Sequence, residues 1–234
     1  MKTLVVMPTY NEAQSLASTV AGLLTEITGV DVLIVDDNSM DATAAIAESL
    51  AGSSPRVSVL HRPTKQGLGP AYLDGFRYAF SKQYQIVVEM DADGSHQASD
   101  LQRILFATSD ADLVIGSRWI DGGRVQNWPF SRLFLSRIGN LYARLMLGTK
   151  ISDMTSGFRA YQASFLQNLI ATPVSSQGYS FQVELAYRAS KTGVVREVPI
   201  TFIERTEGRS KMTLGIVIEA LAKIQLWGIK RLFG

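Results

Sequence analysis

Five short apolar runs, with stretches of helical periodicity between them, constrain this chain more than any other feature. The runs cover residues 4–7, 32–35, 57–60, 86–90 and 113–116 and are dominated by Val, Ile, Leu and Met. The helical segments between them read as 12–27, with Asn11 as the capping residue, then 41–50, 67–80 and 99–106. Near-continuous apolar strands are those buried on both faces of a parallel sheet; a strand with one wet face would alternate instead. Strands alternating with helices therefore predict an α/β fold with a mostly parallel sheet covered on both sides. At 234 residues the chain fits one such domain, and 46% hydrophobic residues suffice for its core.

The second half is less regular. Residues 118–137 read as a loop entering a helix near Leu133, and 157–161 as a short strand or turn. A helix over 181–191, a strand over 195–203 and a final helix over 214–232 complete the pattern. There is no internal repeat and no low-complexity linker. The division expected is a main domain over 1–212 and a C-terminal amphipathic helix over 213–234.

In an open α/β sheet the ligand crevice lies outside the carboxyl ends of the strands. Three acidic groups are predicted there: Glu12 after the first strand, Asp36-Asp37 after the second and Asp91-Ala92-Asp93 after the fourth. A single aspartate after a strand is ordinary loop polarity. Three groups on one edge make a shared site the better reading. Asp91 and Asp93, one residue apart, can hold one divalent cation between them. Few, hard oxygen ligands suit Mg²⁺ or Mn²⁺ shared with substrate phosphates.

Several chemistries are excluded or weakened. With no cysteine there is neither a disulfide nor a thiolate nucleophile or metal site. A net charge of +2 argues against nucleic acid as a partner. Gly67 and Gly69 lack the rest of a phosphate loop and read as a turn into a helix. The two histidines, His61 and His96, are too scattered for a metal triad; His96 follows the acids closely enough to support them, and reads equally well as a histidine that hydrogen-bonds within its loop. Met1-Lys2 leads straight into the first strand, and Glu219 and Lys223 interrupt the longest apolar stretch, so neither a leader peptide nor a membrane span is expected.

Met7-Pro8-Thr9-Tyr10-Asn11-Glu12, Val35-Asp36-Asp37-Asn38-Ser39, Gly67-Leu68-Gly69, Met90-Asp91-Ala92-Asp93, Gly116-Ser117-Arg118 and Thr155-Ser156-Gly157-Phe158-Arg159 occur in this order. Together they resemble family 2 inverting glycosyltransferases with the GT-A (nucleotide-diphospho-sugar transferase) fold, a mostly parallel Rossmann-like sheet. More narrowly, the chain is similar to dolichyl- and polyprenyl-phosphate mannose synthases over about its whole length. The resemblance implies transfer of mannose from GDP-mannose to dolichyl or polyprenyl phosphate with inversion, on the cytoplasmic side of a membrane and peripheral to it. It implies that Pro8, Tyr10, Glu12, Val35 and Asp37 hold the guanosine part of the donor. Asp91, Ala92 and Asp93 would lie at the diphosphate with Mg²⁺ or Mn²⁺ on the two carboxylates. Arg118, Arg205 and Lys211 would contact diphosphate or sugar, and Arg118, Arg132 and Ser136 the acceptor phosphate. Met40, Ala42, Gly94 and Ala98 depart from the family pattern, and Ser95 stands where some relatives carry a metal-ligating Gln.

The residues add an argument of their own for the acceptor. Between positions 118 and 144 lie Arg118, Arg124, Arg132, Arg137 and Arg144 against one acid, Asp121. Arginine suits bidentate phosphate recognition, though a solvated basic helix face explains Arg124, Arg137 and Arg144 as well. A phosphomonoester with a second pKa of about 6 is mostly dianionic at neutral pH and needs no general base. Arg205 and Lys211 flank Gly208, and by themselves read as a solvated basic loop; the resemblance implies that the 205–211 segment closes as a lid over the diphosphate. The last helix carries a broad apolar surface with Glu219, Lys223 and Lys230 as a polar stripe, which suits a membrane surface, the domain's own core or a membrane-embedded partner subunit. Competing readings are a UDP-glucose-dependent lipid-phosphate glucosyltransferase, a non-catalytic nucleotide-sugar binder and a receiver-like signalling module. Receiver domains are roughly half this length, and intact Asp91, Asp93 and Arg118 speak for catalysis.

Overall fold

A computed structural model describes residues 1–174, 176, 178–204 and 214–233. The central sheet runs β3 (Val57–His61), β2 (Val30–Asp36), β1 (Thr3–Thr9), β4 (Ile86–Glu89), β7 (Arg159–Gln162), β5 (Leu113–Ser117), β8 (Val195–Pro199). All pairs are parallel except those made by β7, which lies antiparallel between β4 and β5. A small parallel ribbon joins β6 (Arg124–Gln126) to β9 (Thr201–Ile203).

Alternate residues of the central strands feed two cores, as period-2 geometry requires. Val6, Leu33, Val35 and Val87 point toward α3 (Leu68–Ser81), α6 (Ala163–Leu169) and α7 (Gly178–Thr192). Val5, Met7, Val32, Ile34 and Val88 point toward α1 (Leu16–Glu26) and α4 (Ala98–Ala107), while α2 (Thr43–Ser53) adds Ala47. Helix α3 approaches β1 so closely that a Cβ on Gly75 would lie 2.3 Å from Val6 Cγ1. In that core Tyr72 stacks on Phe76 and Phe181, with ring centroids 5.9 and 6.1 Å apart.

Four local expectations need correction. Asn11 does not cap α1: its φ of 56° puts it in a left-handed turn, its side chain accepts from Met40 N–H at 2.9 Å, and the helix starts at Leu16. Helix α2 starts at Thr43, ahead of which the Asp41 carboxylate accepts from Thr43 N–H at 2.9 Å. The stretch 195–203 is not one strand. Pro199 has no N–H to continue a ladder, and the chain leaves the main sheet there, so β9 pairs with β6 instead. The helix expected near Leu133 is α5 (Phe130–Leu147), which begins right after Pro129 and ends on left-handed Gly148.

Helix α8 (Leu214–Phe233) packs against α5 and α7. Ile224 is buried, the Trp227 ring stacks on Tyr187 at 6.2 Å, and a Cβ on Gly228 would lie 2.9 Å from Met146 Cε. Its other side leaves Leu221, Leu226 and Ile229 exposed. Among the described residues no helix is long and apolar enough to cross a membrane.

Candidate active site

The strand order reverses between β1 and β4, and ligands of doubly wound sheets bind at such a switch point. Tyr10 and Glu12 leave the sheet after β1, Asp37 after β2, Asp91 and Asp93 after β4, and Arg118 after β5. Because β7 runs antiparallel, the residues before it, Asp153 to Gly157, arrive at the same edge.

Asp37 is buried and fully engaged: it pairs with the Arg62 guanidinium and accepts from Gln66 N–H at 3.1 Å and Gly67 N–H at 2.7 Å. Gly67 adopts φ of 94°, a left-handed conformation natural to glycine, at the entrance to α3. Asp37 thus ties the 62–67 loop to the end of β2. The Lys65 ammonium lies 3.5 Å from the centroid of the Tyr10 ring on that loop's outer side. Pro8 pairs in register with Val35, and the Val35 and Ala92 side chains are buried in the cores, so only their main chain can meet a ligand.

At the end of β4, Asp91 N–H donates to His96 Nδ1 at 3.1 Å, and Asp93 Oδ1 accepts from Ser95 N–H at 3.0 Å. The His96 ring is stacked on Phe158 at 4.6 Å. Burial pushes its pKa down to about 4, helped by the positive Arg118 and opposed by Asp93 and Asp153. At neutral pH His96 is therefore an uncharged prop for the Asp91 main chain, with its proton on Nε2.

The two carboxylates fit a hard divalent ion. A Cβ on Gly157 would lie 3.8 and 3.9 Å from the Asp91 oxygens, so the bare glycine leaves the space before that carboxylate open. The Ser95 hydroxyl is buried without a hydrogen-bond partner. Among the described residues no third His, Asp or Glu joins the pair. The remaining coordination would fall to substrate phosphate and water, the usual arrangement for Mg²⁺ and Mn²⁺.

Arg118 is 7% exposed and forms a fork with Asp153, which is fully buried. Its Nε and Nη2 reach the two carboxylate oxygens at 2.7 Å each, its N–H adds a bond of 3.0 Å, and Nη2 also donates to Thr155 Oγ1 at 2.9 Å. Arg132 pairs with Glu204 and stacks over Trp128 at 4.1 Å. Asn140 on α5 donates to Thr155 Oγ1 at 3.1 Å and accepts from Met154 N–H at 2.8 Å, which fixes the loop that carries Asp153. Asp91, His96, Arg118, Arg132 and Ser136 line one cavity of about 490 Å³, whose far wall is apolar: Leu135, Ile138, Leu221 and Ile224. Arg205 and Lys211 lie outside the described residues.

Asp153, Asn140, Glu204, Trp128 and Gln182 join the site without a sequence signal strong enough to single them out. Asp153 stands two residues ahead of the Thr155 motif and could have been paired with Arg118 only through the antiparallel course of β7.

Residues 4–170 match the family described as Glycosyl transferase family 2. The chain is 48% identical over 230 residues to the undecaprenyl-phosphate mannosyltransferase of Micrococcus luteus, covering 98% of this chain and 95% of that protein. It is 47% identical over 232 residues to the polyprenol monophosphomannose synthase of Mycolicibacterium smegmatis, covering 98% and 88%. Among solved structures it is similar to a mannosyltransferase from Pyrobaculum calidifontis in complex with GDP-Man and Mn2+, with a TM-score of 0.67 at 18% identity, covering 99% of this chain and 64% of that one. It is also similar to glucosyl-3-phosphoglycerate synthase from Mycobacterium tuberculosis with Mn2+, UDP-glucose and phosphoglyceric acid, with a TM-score of 0.70 at 17% identity, covering 97% and 79%. At these identities the two structures speak for the fold alone, and that fold is GT-A.

Proposed function

This chain belongs to glycosyl transferase family 2, and from that premise we propose how its site carries out its reaction. The reaction is transfer of a mannosyl group to a polyprenyl phosphate, as in the two relatives that match it over nearly their whole length. The donor is GDP-mannose. Pro8, Tyr10, Glu12 and the Val35 main chain hold the guanosine, and Asp37 acts through the 62–67 loop it anchors. Asp91, Ala92 and Asp93 take the diphosphate together with Mg²⁺ or Mn²⁺. When bound, that cation neutralises the charge that grows on the departing diphosphate.

Arg118, Arg132 and Ser136 hold the acceptor phosphate at the other end of the cavity. Asp153 and Glu204 keep the two guanidinium groups aimed, and the aromatic rings around Arg118, 5.4 to 5.5 Å away, exclude water. The acceptor oxygen attacks the anomeric carbon from the side opposite the diphosphate, so the centre inverts. A phosphate with a second pKa of about 6 carries its own charge, and the protein supplies no base. His96 fits this, because its Nδ1 lone pair already accepts from the Asp91 N–H and burial makes the ring a weak base. Arg205 and Lys211 close over the diphosphate, a role taken from the resemblance.

The lipid leaves the cavity along Leu135, Ile138 and Leu221. Helix α5 is amphipathic in reverse: Asn140, Ala143 and Leu147 face inward, and Phe130, Phe134, Ile138, Leu141 and Leu145 form an exposed apolar stripe on the outside. A stripe of this length marks an interaction surface. Arg137 and Arg144 border it, as suits anionic headgroups. The enzyme therefore rests on the membrane surface through α5 and the outer side of α8.

One observation carries this reading: a single cavity joins the Asp91 carboxylate to Arg118, Arg132 and an apolar wall. The test is transfer of labelled mannose from GDP-mannose to polyprenyl phosphate, with and without EDTA, beside UDP-glucose. Metal-dependent mannose transfer is expected; preference for UDP-glucose, or full activity in EDTA, overturns it.

A further inference from the structure

Helix α7 brings one more polar side chain to the reaction cavity. Gln182 is 1% exposed, and neither its carboxamide oxygen nor its nitrogen has a hydrogen-bond partner. Its main chain is firmly held: the Gln182 carbonyl accepts from Nη1 of the buried Arg159 at 2.9 Å, and its neighbours Phe181 and Val183 lie in the core. The side chain lines the cavity alongside Asp91. A Cβ on Gly157 would lie 3.8 Å from Gln182 Nε2 and 3.8 Å from Asp91 Oδ1, so amide and carboxylate border the same open space over Gly157. Behind it, Glu89 takes its hydrogen bond from the Tyr161 hydroxyl at 3.1 Å, and the Gln182 amide faces the same carboxyl and helps to hold its pKa down.

A buried amide left without partners is costly, and native sites resolve such groups with a ligand. The chemistry of the amide selects which ligand. It offers both a donor and an acceptor. A phosphate would satisfy only the nitrogen, and a cation only the oxygen. A sugar hydroxyl both gives and accepts a hydrogen bond, and so satisfies both. The place agrees with the chemistry: a hexose in transit must lie between the diphosphate at Asp91 and Asp93 and the acceptor phosphate at Arg118, Arg132 and Ser136, where Gln182 forms part of the wall.

We infer that the Gln182 carboxamide binds a hydroxyl of the transferred hexose and helps the enzyme choose its sugar. This rests on the donor reading given above. It makes Gln182 a substrate contact separate from the nucleotide, metal and acceptor groups.

The experiment measures kcat/KM for GDP-mannose and its four monodeoxy analogues (2-, 3-, 4- and 6-deoxy) with the unmodified enzyme, Gln182→Met and Gln182→Glu. Melting temperature and GDP–Mn²⁺ binding are recorded for each. For one analogue the unmodified enzyme loses on the order of tenfold or more, since a site that bonds a hydroxyl rejects its absence. For that same analogue Gln182→Met loses little, because the bond is already gone, and Gln182→Glu keeps a penalty of intermediate size. GDP binding stays unchanged in both variants. A flat cycle, in which every analogue loses the same factor in each folded variant as in the unmodified enzyme, overturns the inference, as does equal weakening of GDP alone. If the unmodified enzyme fails to transfer mannose at all, the donor reading fails instead, so the two failures are distinguishable. Either variant decides the matter if the other does not fold.

Discussion

Asp153→Ala should be among the costliest substitutions in the molecule. The carboxylate is fully buried and answers three N–H groups of Arg118, which is itself 7% exposed. Removing it takes both carboxylate oxygens away from a buried guanidinium, which keeps its bond to Thr155 Oγ1. Breaking a buried pair from one side costs about 3–5 kcal/mol, most of it the uncompensated charge. Against a domain stability of about 5–15 kcal/mol this is a large share. Arg118→Met/Asp153→Ala removes the stranded charge, so the double variant should recover much of the loss, with a coupling of up to about 3 kcal/mol. Urea unfolding followed by tryptophan fluorescence reads both quantities, since Trp119 and Trp128 lie 5.5 Å from the Arg118 guanidinium. Asp153→Ala should also raise KM for the lipid phosphate more than for the donor. A loss below about 1 kcal/mol, or strict additivity in the double variant, would refute the view that Asp153 holds Arg118 in place.

Other outcomes follow from the same geometry. Burial raises the Glu89 pKa to about 7 from an ordinary value of 4.5, with Arg159, Gln182 and Tyr161 pulling the other way. The folded state then binds more protons than the unfolded chain between those values, so Glu89 makes stability fall as pH rises from 4.5 to 7, by roughly 3 kcal/mol. Glu89→Gln should flatten that slope in unfolding experiments at pH 5 to 8 in EDTA; an unchanged slope speaks against it. Gly157→Ala meets no atom closer than 3.8 Å, so it should fold normally while its methyl crowds Asp91 and lowers kcat/KM by about tenfold or more. Unaltered kinetics would place the diphosphate elsewhere. Phe134→Glu/Leu145→Glu removes two large side chains from the outer stripe of α5 at about 1.5–3 kcal/mol each. Binding to anionic vesicles should fall steeply, with no change in activity on a short, water-soluble isoprenyl phosphate. Undiminished vesicle binding would move the membrane contact off α5.

Much of the fold was legible because parallel, doubly covered strands announce themselves as apolar runs. The ends of those runs locate Asp91, Asp93 and Arg118 directly. What the pattern could not show is β7: it spans only Arg159–Gln162, too short for a period to register, and it alone makes Asp153 a neighbour of Arg118. Asn140 and Gln182 were hidden for another reason. Each sits inside a helix with ordinary periodicity, and only tertiary packing turns its amide toward the site. Asn11 misled because a capping residue and a left-handed turn residue share the same side chain, and the turn to Met40 won. Likewise, helical periodicity in α5 shows an apolar face at 130–145 but not that this face points outward.

The central claim is that the lipid phosphate attacks the sugar directly, opposite the diphosphate, with no protein group acting as base or nucleophile. The anomeric configuration of the lipid-linked product tests this most directly. From an α-linked donor such as GDP-mannose, a single displacement gives the β-mannosyl phosphate, seen in the one-bond carbon–proton coupling at C1. An α-linked product would contradict the account, because attack on the side opposite the diphosphate cannot retain the configuration.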